Sequence, residues 1–189
     1  MNASIERLDR HRSALLVVDL QQRLLDVMRD PARIVWNARR VLEAANLFSV
    51  PIAASEQYPE RLGETAASLQ PLLPTPNAKR SFSVLPCDEL LETWRADSRS
   101  QIVVIGIETH VCVLQTVLDL LAEGFQTHVV VDATSSRSQS DQDIALRRMS
   151  DAGATLTTVE MALFEWCADS RDPQFKQISA LVRETPPGE

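Results

Sequence analysis

QIVVIGIETHVCVLQTVLDLLAEG, residues 101–124, changes its hydrophobic period partway along. From Ile102 to Ile107 five of six positions are apolar with no alternation, the pattern of a strand covered on both faces. From residue 109 the period lengthens: Val113, Leu114, Val117, Leu118 and Leu121 recur at helical spacing, and Gly124 follows as a stop. A buried strand running straight into an amphipathic helix predicts a parallel sheet flanked by helices.

The same alternation extends in both directions. ALLVVD (14–19), PIAASE (51–56), THVVVDA (127–133) and ATLTTVE (154–160) read as further strands. Residues 30–49 place Ile34, Val35, Ala38, Val41, Leu42, Ala45 and Phe48 at helical spacing, and SQSDQDIALRRM predicts a helix with Ser140 as its N-cap. The expected fold class is α/β, a three-layer α/β/α sandwich with a mostly parallel sheet, whose ligands bind beyond the carboxyl ends of the strands. Residues 1–189 read as one domain, with the ends, about 1–11 and 184–189, expected to be flexible. The least regular part is QYPERLGETAASLQPLLPTPNAKRS, residues 57–81, a long connection of the kind that shapes active sites.

Composition narrows the function classes. A net charge of −7 with scattered acidic residues offers no basic face to nucleic acid or to an anionic membrane surface, so neither is expected as a partner. The longest apolar runs are far too short to span a bilayer, and the polar start MNASIERLDRHRS lacks a signal-peptide core, so a cytoplasmic location is expected. Three widely spaced cysteines suit free thiols better than a disulfide framework or a zinc site. The α/β pattern alone also admits a flavodoxin-like nucleotide or flavin binder, but no G-x-G-x-x-G or P-loop follows any strand.

Cys112 lies just beyond a predicted buried strand, in the first turn of the next helix. Unpaired N–H groups and the helix dipole there favour a thiolate and can hold an oxyanion, whereas a buried cysteine commonly just packs. Asp19 ends the first strand and can serve as general base and acid, or simply cap the following helix. Lys79 stands near the end of the irregular connection, where its charge would stabilise both groups if it reached them. No spacing argument brings the three together. Cys87, in LPCDELLETW, also starts a helix but has no buried strand before it, and Cys167 in ALFEWCAD reads as core or interface.

ALLVVDLQQRLL, NAKRSFS and GIETHVCVLQTVLDLLAEGF, in this order, resemble the isochorismatase-like cysteine hydrolase superfamily. SEQYPERLGET, VVVDATSSRSQSDQDIALRRM and FKQIS are most similar to its isochorismatase domain-containing branch. The resemblance runs from about residue 13 to about residue 183 and implies a catalytic set of Asp19, Lys79 and Cys112. It further implies a cis peptide between Ile107 and Glu108, an oxyanion hole from the backbone N–H groups of Glu108 and Cys112, and homo-oligomers, dimers or larger. Gly106 then serves close backbone approach and Thr109 a helix cap.

Two departures bear on the reaction. Nicotinamidases of the superfamily carry an aspartate and two histidines as a metal site after the second strand; here that region reads SEQYPE, so no metal and no other cofactor is expected. Relatives that cleave isochorismate generally lack the cysteine that this chain has. The expected activity is therefore hydrolysis of small amides or related C–N bonds through a covalent thioester, with a small molecule as partner. The alternative is a catalytically silent binding or scaffold protein retaining the fold. Leu24, Glu56, Gln57 and Tyr58 are candidates for the substrate pocket, with core packing or bracing of the loop as their other roles. Arg137 and the serines around it either bind a carboxylate or order a helix start.

Overall fold

Six short segments pair side by side in the computed structural model, which describes residues 7–85 and 88–188; Cys87 lies outside the described residues. They are β1 (Ser13–Val18), β2 (Ile52–Gln57), β3 (Asn77–Lys79), β4 (Gln101–Ile107), β5 (Gln126–Ser135) and β6 (Thr155–Thr157). Every neighbouring pair is parallel, in the order β3-β2-β1-β4-β5-β6. The order reverses between β1 and β4, and in such sheets the crevice beyond the carboxyl ends at that point is where ligands bind.

The helices are α1 (Gln22–Leu25), α2 (Pro31–Leu47), α3 (Pro59–Leu62), α4 (Asp88–Ala96), α5 (Leu114–Ala122), α6 (Gln139–Asp151), α7 (Val159–Cys167) and α8 (Phe175–Val182). Because side chains alternate along a strand, one face of β1 and β4 gives Leu15, Val17, Val103 and Ile105 to a core shared with α2, α7 and α8. The other face gives Ala14, Leu16, Ile102 and Val104 to a core shared with α4, α5 and α6. Both faces are covered, which explains the unbroken apolar runs and makes the protein an α/β, three-layer sandwich. No helix among the described residues is long and apolar enough to cross a membrane.

Several details differ from the sequence reading. β3 is a three-residue strand inside the irregular connection, too short and polar to show a period. The N-cap of α6 is Ser138, not Ser140; its hydroxyl meets the Ser140 hydroxyl at 2.8 Å and does not cap the helix. Leu8, within the stretch expected to be flexible, is buried in the larger core, and its N–H donates to Glu165.

Candidate active site

Three strand ends converge at the reversal point. Asp19 follows β1 in a left-handed conformation, φ 52°, and is fully buried. Lys79 ends β3, and its Nζ lies 2.6 Å from Asp19 Oδ2 with both side chains out of solvent. Cys112 follows β4, buried, beside both charges.

The close approach of β1 and β4 depends on one residue. Gly106 pairs with Val18 and sits at φ 130°, and a Cβ added there would fall inside the Val18 backbone. Only glycine fits, and Asp19 is the next residue along β1. The peptide between Ile107 and Glu108 is cis. Thr109–Val113 then form a π-helical turn before α5 begins. The Glu108 carbonyl accepts from Val111 N–H at 3.0 Å and from Val113 N–H at 3.2 Å. An α-helix would instead have paired that carbonyl with the N–H four residues on, that of Cys112. The wider turn therefore releases the Cys112 N–H from the bond that a regular helix would impose.

Each charge in the site is held from more than one side. Asp19 Oδ1 accepts from Ser55 Oγ at 2.8 Å, while Oδ2 takes the ammonium. Lys79 Nζ also donates to Gln57 Oε1 at 2.7 Å, Phe82 O at 3.0 Å and Ser81 O at 3.3 Å. Burial first, and then the Asp19 carboxylate, push the Cys112 thiol up to about 12, with Lys79 pulling the other way. Burial and the nearby carboxylate thus work against the thiolate that the helix position favours.

The remaining residues named from the sequence sort differently. Ser55 and Gln57 point to the Asp19–Lys79 side of β2, so Glu56 between them turns to the other face. There its Oε1 accepts from Thr65 N–H at 2.6 Å and Thr65 Oγ1 at 2.8 Å, bracing the connection. The Tyr58 ring stacks against the Arg80 guanidinium at 3.3 Å, with Arg61 at 5.4 Å. Leu24 is half-buried and packs on the larger core. Thr109 does not cap; Glu108 holds the N-cap position, and Thr109 Oγ1 is buried without a partner. Arg137 donates through its backbone N–H and Nε to Glu108 Oε2, at 3.3 and 3.0 Å. His110 Nδ1 contacts Ser136 Oγ at 2.9 Å. Ser55 and Gln21 were not among the candidate site residues; the signal for Ser55 was the period of the strand end, SEQ, which puts Ser55 and Gln57 on one face.

The chain and its fold have counterparts among known proteins. Isochorismatase domain-containing protein 2A of Mus musculus is 42% identical over 98% of this chain and 89% of its own. The structure of MAR1 ribonuclease from Caenorhabditis elegans superposes with a TM-score of 0.88 at 37% identity, covering 96% of this chain and 95% of that one. YcaC from Pseudomonas aeruginosa, with hexane-2,5-diol and covalent acrylamide, gives 0.87 at 26% identity, covering 95% and 91%. YcaC of Escherichia coli, described as an octameric hydrolase of unknown specificity, gives 0.86 at 27% identity, covering 93% and 89%. The isochorismatase domain itself matches residues 13–161, most of the chain, and with these relatives it places the protein in the isochorismatase family.

Proposed function

We propose that the protein is a cysteine hydrolase of small amides or related C–N bonds, working through a thioester on Cys112. The observation that carries this reading is the buried Asp19–Lys79 pair set beside the Cys112 thiol. A neutral thiol next to a carboxylate is a nucleophile with its base already in place, so the proton moves as the bond forms. Asp19 takes the proton as Sγ attacks the carbonyl carbon. The charge passing to the carbonyl oxygen meets the N–H groups of Glu108 and Cys112, the latter released by the π-turn. Collapse expels the amine, which leaves with the proton from Asp19. Water then attacks the thioester, gives its proton to Asp19, and the carboxylic acid that forms departs as the proton returns to Sγ. Lys79 keeps the carboxylate charged and in place, and no step calls for a metal.

The acrylamide bound covalently in the Pseudomonas aeruginosa relative supports a reactive nucleophile in this fold and supplies a probe. Acrylamide carries the amide group of the proposed substrates beside an electrophilic alkene. Sγ adds to the terminal carbon, the alkene electrons move toward the carbonyl, and Asp19 returns the thiol proton to the α-carbon. Incubation at neutral pH is expected to add one acrylamide, mapped to Cys112 by peptide mass spectrometry, and Cys112→Ala is expected to abolish it. An inert Cys112 in the folded protein would favour the scaffold role instead.

A second reading follows from the Caenorhabditis elegans relative, which is described as a ribonuclease. Against it stands the net charge of −7, which opposes binding to a phosphate backbone. Cleavage of RNA by the purified protein that is lost in Cys112→Ala would carry that reading. The octameric Escherichia coli relative supports self-association here, and the exposed Met161 and Phe164 on α7 offer apolar contact surface. Light scattering on the purified protein measures it directly.

A further inference from the structure

We propose that Gln57 is a positioning residue of this site: it fixes the Lys79 ammonium against Asp19 and so controls proton transfer from Cys112. The inference rests on the hydrolase reading above and adds a residue to which that reading gives no role.

An ammonium has three N–H bonds to donate. Those of Lys79 meet Asp19 Oδ2 at 2.6 Å, Gln57 Oε1 at 2.7 Å and the Phe82 carbonyl at 3.0 Å, with the Ser81 carbonyl more distant at 3.3 Å. Every donor is thus spent within the protein. Lys79 acts as a fixed charge beside Cys112 whose position is set by its acceptors. Of the three near ones, Asp19 is the group to be served and Phe82 O belongs to an exposed loop residue. Gln57 is the acceptor on the rigid sheet.

Its own orientation is determined by its partners. Lys79 can only donate, so the amide oxygen must face it, and Nε2 donates at 2.9 Å to the Arg80 carbonyl, which can only accept. The backbone of Gln57 is clamped in turn by the buried Gln21 side chain. Gln21 Oε1 accepts from Gln57 N–H at 2.7 Å, and Gln21 Nε2 donates to Gln57 O at 3.0 Å and Gly63 O at 2.6 Å. Gln21 lies two residues beyond Asp19, so one chain of contacts ties the start of the α1 segment, the end of β2 and the end of β3 to the same ammonium. The amide is neutral, which matters here. It holds the cation without cancelling its charge, so the full attraction remains for Asp19 and for the thiolate forming on Cys112.

The test uses the full-length protein and acrylamide, following the rate of adduct formation on Cys112 against pH. Gln57→Leu keeps the bulk but removes the acceptor, and the rate is expected to fall by about tenfold or more, the scale of one hydrogen bond to a charged group. Gln57→Glu keeps an oxygen facing Lys79 and adds a negative charge beside Asp19. It is expected to recover part of the rate, with the acidic limb of its profile moved to higher pH, because the added anion favours protonation of the carboxylate. A purely structural amide predicts equal losses in both variants and an unmoved profile, and that outcome would overturn the proposal. So would a Gln57→Leu rate within about twofold of the parent, a change below that of any hydrogen bond to an ion. Should Gln57→Leu fail to fold, the displaced or undisplaced profile of Gln57→Glu decides. An adduct still formed by Cys112→Ala would instead remove the hydrolase reading, and the role of Gln57 with it.

Discussion

Among the described residues, two buried free cysteines, Cys112 and Cys167, lie beside ion pairs at different places, and their surroundings differ. Cys112 stands by Asp19–Lys79, and Cys167 stands by Arg10–Asp172, whose charges also reach its thiol. Burial raises both thiols above the ordinary range. The difference lies in the helix ends and in solvent. Cys112 lies in the first turn after β4, at the N-terminal end of a helical segment where N–H groups point outward, whereas Cys167 closes α7, where carbonyls do, and its Sγ faces the Asp169 carbonyl at 3.5 Å. An oxyanion beside Cys167 would meet acceptors rather than donors. The Arg10–Asp172 pair is also partly open to water, with Arg10 28% exposed, against 3% for Lys79. A cysteine near two charges is therefore uninformative until the direction of the backbone dipoles is known.

The contrast breaks most directly on the cysteines themselves. Cys112→Ala is expected to lower acrylamide addition and amide turnover by about a thousandfold or more, the scale for a lost nucleophile, while Cys167→Ala leaves both unchanged. Equal losses would erase the distinction. The ion pairs come next. Lys79→Met strands a buried carboxylate and is expected to cost about 3–5 kcal/mol in urea unfolding. Arg10→Met, at the half-open pair, is expected to cost about 1 kcal/mol or less.

A smaller effect sharpens the account of Cys112. Its thiol, at about 12, is protonated throughout the neutral range, so the thiolate fraction grows about tenfold per pH unit from 7 to 10. Modification by methyl methanethiosulfonate, which has no carbonyl to lodge in the site, is expected to accelerate over that whole interval in the folded protein. In the denatured chain it should level off near the ordinary thiol range. A plateau near pH 7 in the folded state would mean a stabilised thiolate and would restore the helix-end argument. The smallest effect belongs to Glu56→Gln. Because Glu56 faces away from Lys79 and braces Thr65, the substitution is expected to leave the rate of acrylamide addition unchanged.

The legibility of the molecule follows the range of the forces involved. Apolar periodicity is local, so β1, β4 and α2 could be read from neighbouring residues to within a position or two. β3 has three residues, two of them exposed, and carries no such period. Asp19, Lys79 and Cys112 were singled out one by one from their positions and joined only through motif resemblance; nothing in their spacing implied a meeting at 2.6 Å between Asp19 and Lys79, 60 positions apart. Glu56 and Gln57 were adjacent candidates of similar chemistry, and the pleat of β2 sends one to each face.

The sequence by itself determined the layered α/β architecture and the family, because hydrophobic period and short motifs are properties of contiguous residues. The resemblance implied a close backbone approach at Gly106, but that the approach is to Val18 was decided by the pairing of β1 with β4. The protonation state of Cys112, the filling of every Lys79 donor and the turning away of Glu56 were decided only by the tertiary structure. Those depend on desolvation and on charges and hydrogen bonds brought together from β1, β2, β3 and the turn after β4, and interactions of that kind are fixed by strand register rather than by any single stretch of chain.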